Sequence, residues 1–212
     1  MRMKEDAMGN GQLKPAFNLQ HGVDSEYIVW LTIGPQPTDT TTLIPFLKET
    51  EEYLAFKYQK IIADAGYESE ENYVFLDTNQ QLAFIKPSNY EISKKRKYKN
   101  DIGRIENMDY DEENDSYICK NGKQLSFTHL RRSKSKTGYV SVKNIYQCKE
   151  CKDCPYKKEC IKGNNCKTPI EERNKVLSVA KTFLKYREED LERILSDEGI
   201  LLRINRSIQA EG

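Results

Sequence analysis

No apolar run in this sequence approaches the ~20 residues that a membrane-spanning helix needs. The amino terminus, Met1-Arg2-Met3-Lys4-Glu5-Asp6, is charged and has no apolar signal region. An excess of one charge sign is missing too. Lys and Arg number 34 against 33 Asp and Glu, a formal charge of +1, which excludes a uniformly basic, histone-like protein. These absences predict a soluble cytoplasmic protein with no membrane partner. In that reducing setting the six Cys point to metal or free thiols rather than disulfides. Aromatic residues are plentiful, with 13 Tyr and 7 Phe, more than disordered chains carry. The 212 residues suffice for one ordinary domain with a smaller module inside it.

Residues 16–23 alternate Phe17 and Leu19 with Asn18 and Gln20, as a half-buried strand does. Asp24-Ser25-Glu26 reads as a turn, and 27–33 as a second strand of the same hairpin. A helix is expected from near Thr41, because Pro45 is tolerated only in a first turn. Residues 59–64 form a short apolar run closing on Asp64. Ser69, followed by Glu70 and Glu71, starts a helix that reaches about Asp77. Residues 82–85 are another short strand. Beyond Pro87 the charge alternates in blocks: basic over 86–105, acidic over 106–115, basic and acid-free over 123–143. Residues 117–119 and 138–142 look like β pieces. From Asn174 the spacing turns helical, Gly199 breaks it, and a last helix covers 200–212. The chain therefore divides into a core at 1–87, an inserted strand-rich, Cys-rich module at 88–170 and closing helices at 171–212.

Four constellations could carry chemistry. Asp64 closes a buried strand and precedes Gly66 and a capped helix, where open α/β sheets present ligand-binding groups; a plain turn residue fits as well. Ile204, Ile208 and Glu211 share a helical face. A carboxylate there is paired, protonated or metal-bound, or it frays into water. Cys148, Cys151, Cys154 and Cys160 lie within thirteen polar residues, with Cys119 before and Cys166 beyond. Such spacing suits tetrahedral Zn²⁺; an iron–sulfur run or free thiols remain open. Lys94, Lys95, Arg96 and Lys97 between Tyr90 and Tyr98, and Arg131, Arg132 and Lys134, can track a phosphate backbone or form solvated loops.

Together these motifs resemble the DDE transposases of bacterial insertion sequences. The resemblance runs through 1–6 and 11–20, Pro37-Thr38-Asp39-Thr40-Thr41-Thr42 and Ala63-Asp64-Ala65-Gly66-Tyr67-Glu68-Ser69-Glu70-Glu71-Asn72-Tyr73. It continues through Tyr146, Cys148, Cys151, Cys154 and Pro155 to Asn205-Arg206-Ser207-Ile208-Gln209-Ala210-Glu211-Gly212. It implies an α/β, ribonuclease-H-like mixed sheet flanked by helices, with an insertion before the last catalytic helix. It also implies Mg²⁺ held by three carboxylates, DNA partners (transposon ends and target DNA), and a nucleoid-associated location. Asp64 matches the second carboxylate and Glu211 the third. The first carboxylate and the amino-terminal DNA-binding region have no counterpart: Asp6, Asp24 and Asp39 lie in no apolar strand, and the chain stops one residue after Glu211. The expectation is the carboxyl part of a transposase, inactive alone. The alternative is a non-catalytic, zinc-stabilised module that binds DNA or inhibits a full-length transposase.

Overall fold

The computed structural model describes residues 2–5, 8–163 and 166–211, with side chains for 5, 8–163 and 166–209. Met1, Asp6, Gly212 and the Glu211 side chain, all part of the sequence reading, lie outside the described residues. The strands are β1 (Arg2–Glu5), β2 (Leu13–Ala16), β3 (Asn18–Asp24), β4 (Tyr27–Gly34), β5 (Lys60–Ala63), β6 (Leu82–Ile85), β7 (Asp109–Asp111), β8 (Ser116–Ile118), β9 (Gln124–Lys134), β10 (Val140–Gln147) and β11 (Val176–Val179). The helices are α1 (Leu43–Leu54), α2 (Glu70–Thr78), α3 (Tyr90–Ser93), α4 (Arg96–Lys99), α5 (Lys157–Cys160), α6 (Lys181–Leu195) and α7 (Asp197–Glu211). The fold is mixed α/β in two units, Met1–Ser88 with Thr182–Gly212, and Asn89–Lys181. Among the described residues no helix is long and apolar enough to cross a membrane.

In the first unit β3 and β4 form the expected hairpin, with Asn18 opposite Gly34 and Asp24 opposite Tyr27. α1 carries Pro45 in its first turn, where a missing N–H costs nothing, and turns Leu43 and Leu47 inward. β5 and β6 pair in parallel, joined by α2, a connection that antiparallel hairpins do not need. Ser69 starts α2 by accepting the Asn72 N–H at 3.1 Å, with Glu70 and Glu71 in the first turn. The core gathers Leu43, Leu47, Ile61, Ala63, Tyr73, Leu76, Ala83 and Ile85, with Phe183 and Tyr186 of α6 against it. Arg2–Glu5 and Leu13–Ala16 form the paired strands β1 and β2, which the sequence reading did not include. The side chains of β2 are mostly exposed, so no hydrophobic alternation announces the pair.

The second unit holds an antiparallel sheet in the order β11-β10-β9-β8-β7. Here one expectation fails. Val176–Val179 is a strand, not the start of a helix. Leu177 and Val179 are buried while Val176 and Ser178 face out, a period of two that pairing with β10 selects. β11 also extends this unit past residue 170, where composition drew its end. The helix proper begins at Lys181.

Candidate functional site

β5 is buried at Ile61 and Ala63 and delivers Asp64 at its carboxyl end. The turn that follows fixes this side chain: Asp64 Oδ1 accepts the Gly66 N–H at 2.8 Å. Its other oxygen lies 3.4 Å from Arg206 Nη2 of α7. Asp39, in the turn before α1, reaches the same place. A Cβ on Gly66 would stand 2.7 Å from Asp39 Oδ2 and 3.0 Å from Asp64 Oδ1. A larger residue there would push at least one of the two carboxylates aside.

The support around them is polar and specific. Asp39 Oδ1 accepts from Asn18 Nδ2 at 2.6 Å and Gln20 Nε2 at 3.3 Å, both side chains on β3. Gln20 is buried and accepts the Tyr67 hydroxyl through its oxygen. Burial first, then the charges of Asp39 and Asp64, hold the Tyr67 phenol well above its usual range. It therefore stays a neutral donor. A groove of about 580 Å³ opens here, lined by β3, β5, α1 and α7, including Asp39, Asp64 and Arg206. β3 and β5 face this groove without pairing with each other.

Asp39 lies in no apolar strand and so carries no sequence signal of a site residue. Spacing could not reveal it, since it reaches Asp64 from a turn 25 residues earlier in the chain. The sequence reading also missed Asp190, a fully buried acid on α6. It accepts from Tyr73 Oη and the Ile85 N–H, each at 3.1 Å. Burial pushes its carboxyl up to about 6. It does not line the groove, and it ties α6 to α2 and β6.

In the second unit Cys119, Cys148, Cys151, Cys154 and Cys160 line one cavity of about 20 Å³. Cys166 is exposed and apart from it. The Lys175 N–H donates to Cys151 Sγ at 3.3 Å, and burial pushes the Cys148 thiol up to about 11. Among the described residues no three His, Cys, Asp or Glu form a ready-made metal-binding group. Thiolate donors are of the kind that zinc takes. Of the basic residues, Lys94 and Lys95 flank the one-turn helices, Arg96 and Lys97 lie in α4, and Arg131, Arg132 and Lys134 are exposed on β9.

No curated protein and no solved structure gives a match to this chain. Residues 118–212 do match a family model described as the transposase DDE domain. That stretch takes in β9, β10, the cavity cysteines and α7, and leaves out Asp39 and Asp64. Over those carboxyl-terminal residues, less than half of its length, the chain is similar to the DDE transposases.

Proposed function

We propose that this chain contributes to DNA transposition as part of a DDE transposase, using a divalent cation at the end of β5. The observation that carries the reading is the convergence of Asp39 and Asp64 beside Gly66, on the groove that α7 lines. Asp64 and Glu211 are the catalytic carboxylates, and Asp39 is the partner of Asp64. Their hard oxygen donors suit Mg²⁺. Bound there, Mg²⁺ would activate a water or 3′-hydroxyl and stabilise the leaving oxygen of a phosphodiester. Asn18 and Gln20 hold Asp39 in place, and Arg206 offsets the charge of Asp64 until a cation or phosphate arrives. The β3–β4 hairpin and the parallel β5–β6 pair support a ribonuclease-H-like reading of this unit. The first carboxylate that the resemblance implies has no match in the sequence, so we read the isolated chain as inactive.

In the same reading the cysteine cavity holds a structural Zn²⁺. Cys148 and Cys151 supply two ligands, with two more from Cys154, Cys160 and Cys119. A second reading has a specific observation behind it: the exposed, acid-free stretch of β9 from Ser126 to Lys134 favours a non-catalytic module that binds DNA or inhibits a full-length transposase.

Two measurements test the catalytic reading. Mn²⁺ binding, followed by electron paramagnetic resonance, should weaken at least tenfold in Asp64→Ala and in Asp39→Asn. A cleavage assay with Mg²⁺ or Mn²⁺ should give no product from the isolated chain. Strand cleavage that survives Asp64→Ala, or Mn²⁺ binding indifferent to both substitutions, overturns it.

A further inference from the structure

Between Asp115 and Glu150 the chain contains no acid. That stretch forms an arm which the chemistry at Asp64 does not use. β9 and β10 pair from Lys134 opposite Val140 to Ser126 opposite Gln147. β8 covers β9 only at Gln124, Leu125 and Ser126. β11 covers β10 only from Asn144 to Gln147. Beyond those residues a two-stranded ribbon continues to a turn closed by the Ser135 N–H on the Tyr139 carbonyl at 2.8 Å. Every residue of β9 from Ser126 to Lys134 is exposed. A bare two-stranded ribbon buries little of its own surface, and long open edges invite pairing with other chains. Arg131, Arg132, Lys134, Lys136 and Lys143 give this one a single sign of charge.

The register sorts these side chains, since residues directly opposite share a face. Arg131 stands opposite Lys143 and Ser133 opposite Ser141, the two hydroxyls 2.8 Å apart. That face consists of hydrogen-bonding groups. Arg131 gives one N–H to Ser178 Oγ at 3.0 Å and has four more donors. The other face sets Arg132 opposite Val142 and Lys134 opposite Val140. The major groove of B-DNA, ~12 Å wide, admits a two-stranded ribbon and presents base edges to its inner face. Phosphates on either side attract the bases.

We propose that the β9–β10 ribbon lies in the major groove of duplex DNA. Arg131, Ser133, Ser141 and Lys143 face the base edges, while Arg132, Lys134 and Lys136 reach the flanking phosphates. The proposal rests on the DNA reading above and adds which element reads the duplex and with which face. Binding of the full chain to DNA is followed by fluorescence anisotropy across a salt series. Arg132→Ala with Lys134→Ala should weaken binding about tenfold on every sequence and lower the salt slope by about 2. Ser133→Ala with Ser141→Ala should keep the slope and flatten the base preference found by selection from a random duplex pool. Duplex RNA, with its deep and narrow major groove, should compete poorly. Arg132, Ser133 and Lys134 are exposed and Ser141 is half-buried, so unchanged melting curves establish that the variants fold.

An unchanged slope in the double basic variant, or equal competition by duplex RNA, overturns the ribbon proposal. So does a base preference indifferent to the two serines. In each case the transposase reading stands if Asp64→Ala still weakens Mn²⁺ binding at least tenfold. No DNA binding even at low salt removes both.

Discussion

Asp190 shows how a single residue sets a pH dependence. Its carboxyl is held near 6, above its ordinary value of 3.8, chiefly by burial. A carboxyl raised in the folded state favours folding when protonated. Its contribution is therefore full below pH 3.8 and is lost as pH rises through about 6. At 1.36 kcal/mol per unit, the change is at most about 3 kcal/mol. Asp190→Asn keeps an acceptor for the Ile85 N–H and removes the titration. Urea denaturation at pH 4 and pH 7 should show wild type losing more stability than the variant; equal losses refute the assignment. Asp64 teaches the reverse lesson. Its place at a strand end before Gly66 was legible, because local propensity creates that turn. Asp39 was not, because only the packing of the turn before α1 against Gly66 brings the two acids together.

At the scale of elements, the break between α6 and α7 tests the packing most sharply. The sequence reading made Gly199 the breaker. The structure places the break at Ser196, whose Oγ accepts the Gly199 N–H at 3.1 Å. Asp197 and Glu198 then fill the first turn of α7. Gly199 is needed for another reason: its Cβ would fall 2.0 Å from the Arg193 carbonyl oxygen. Gly199→Ala should cost about 1–3 kcal/mol through overpacking, and it should loosen α7 and with it the groove. A thermal melt within one degree of wild type would contradict this. β11 failed as a sequence reading for an instructive reason. Val176, Leu177 and Val179 fit a helical and a strand period equally over so few residues, and its pairing with β10 decides. β9 left less trace still, because its residues from Ser126 to Lys134 are exposed and show no buried alternation.

At the scale of the whole chain, the cysteine cavity and the groove belong to different units, and this separates their predictions. If a structural Zn²⁺ occupies the cavity, the purified chain should contain about one equivalent by metal analysis, and chelation should lower the stability of the second unit. Cys151→Ser should act like the chelator, while Cys166→Ser should not. A metal-free protein whose melting ignores chelators refutes zinc and leaves the Asp64 site untouched. The sequence by itself determined what depends on neighbours along the chain: the β3–β4 hairpin, the Pro45 and Ser69 helix starts, the short strands before Asp64 and at 82–85, and the crowding of Cys148, Cys151, Cys154 and Cys160. Tertiary structure alone decided what depends on distant segments meeting. It set Asp39 beside Asp64, brought Cys119 to the other thiols across 29 residues, buried Asp190 and extended β9 and β10 into a ribbon. The physical reason is that propensity acts within a few residues, whereas a site, a buried charge and a sheet register exist only once the chain has closed on itself.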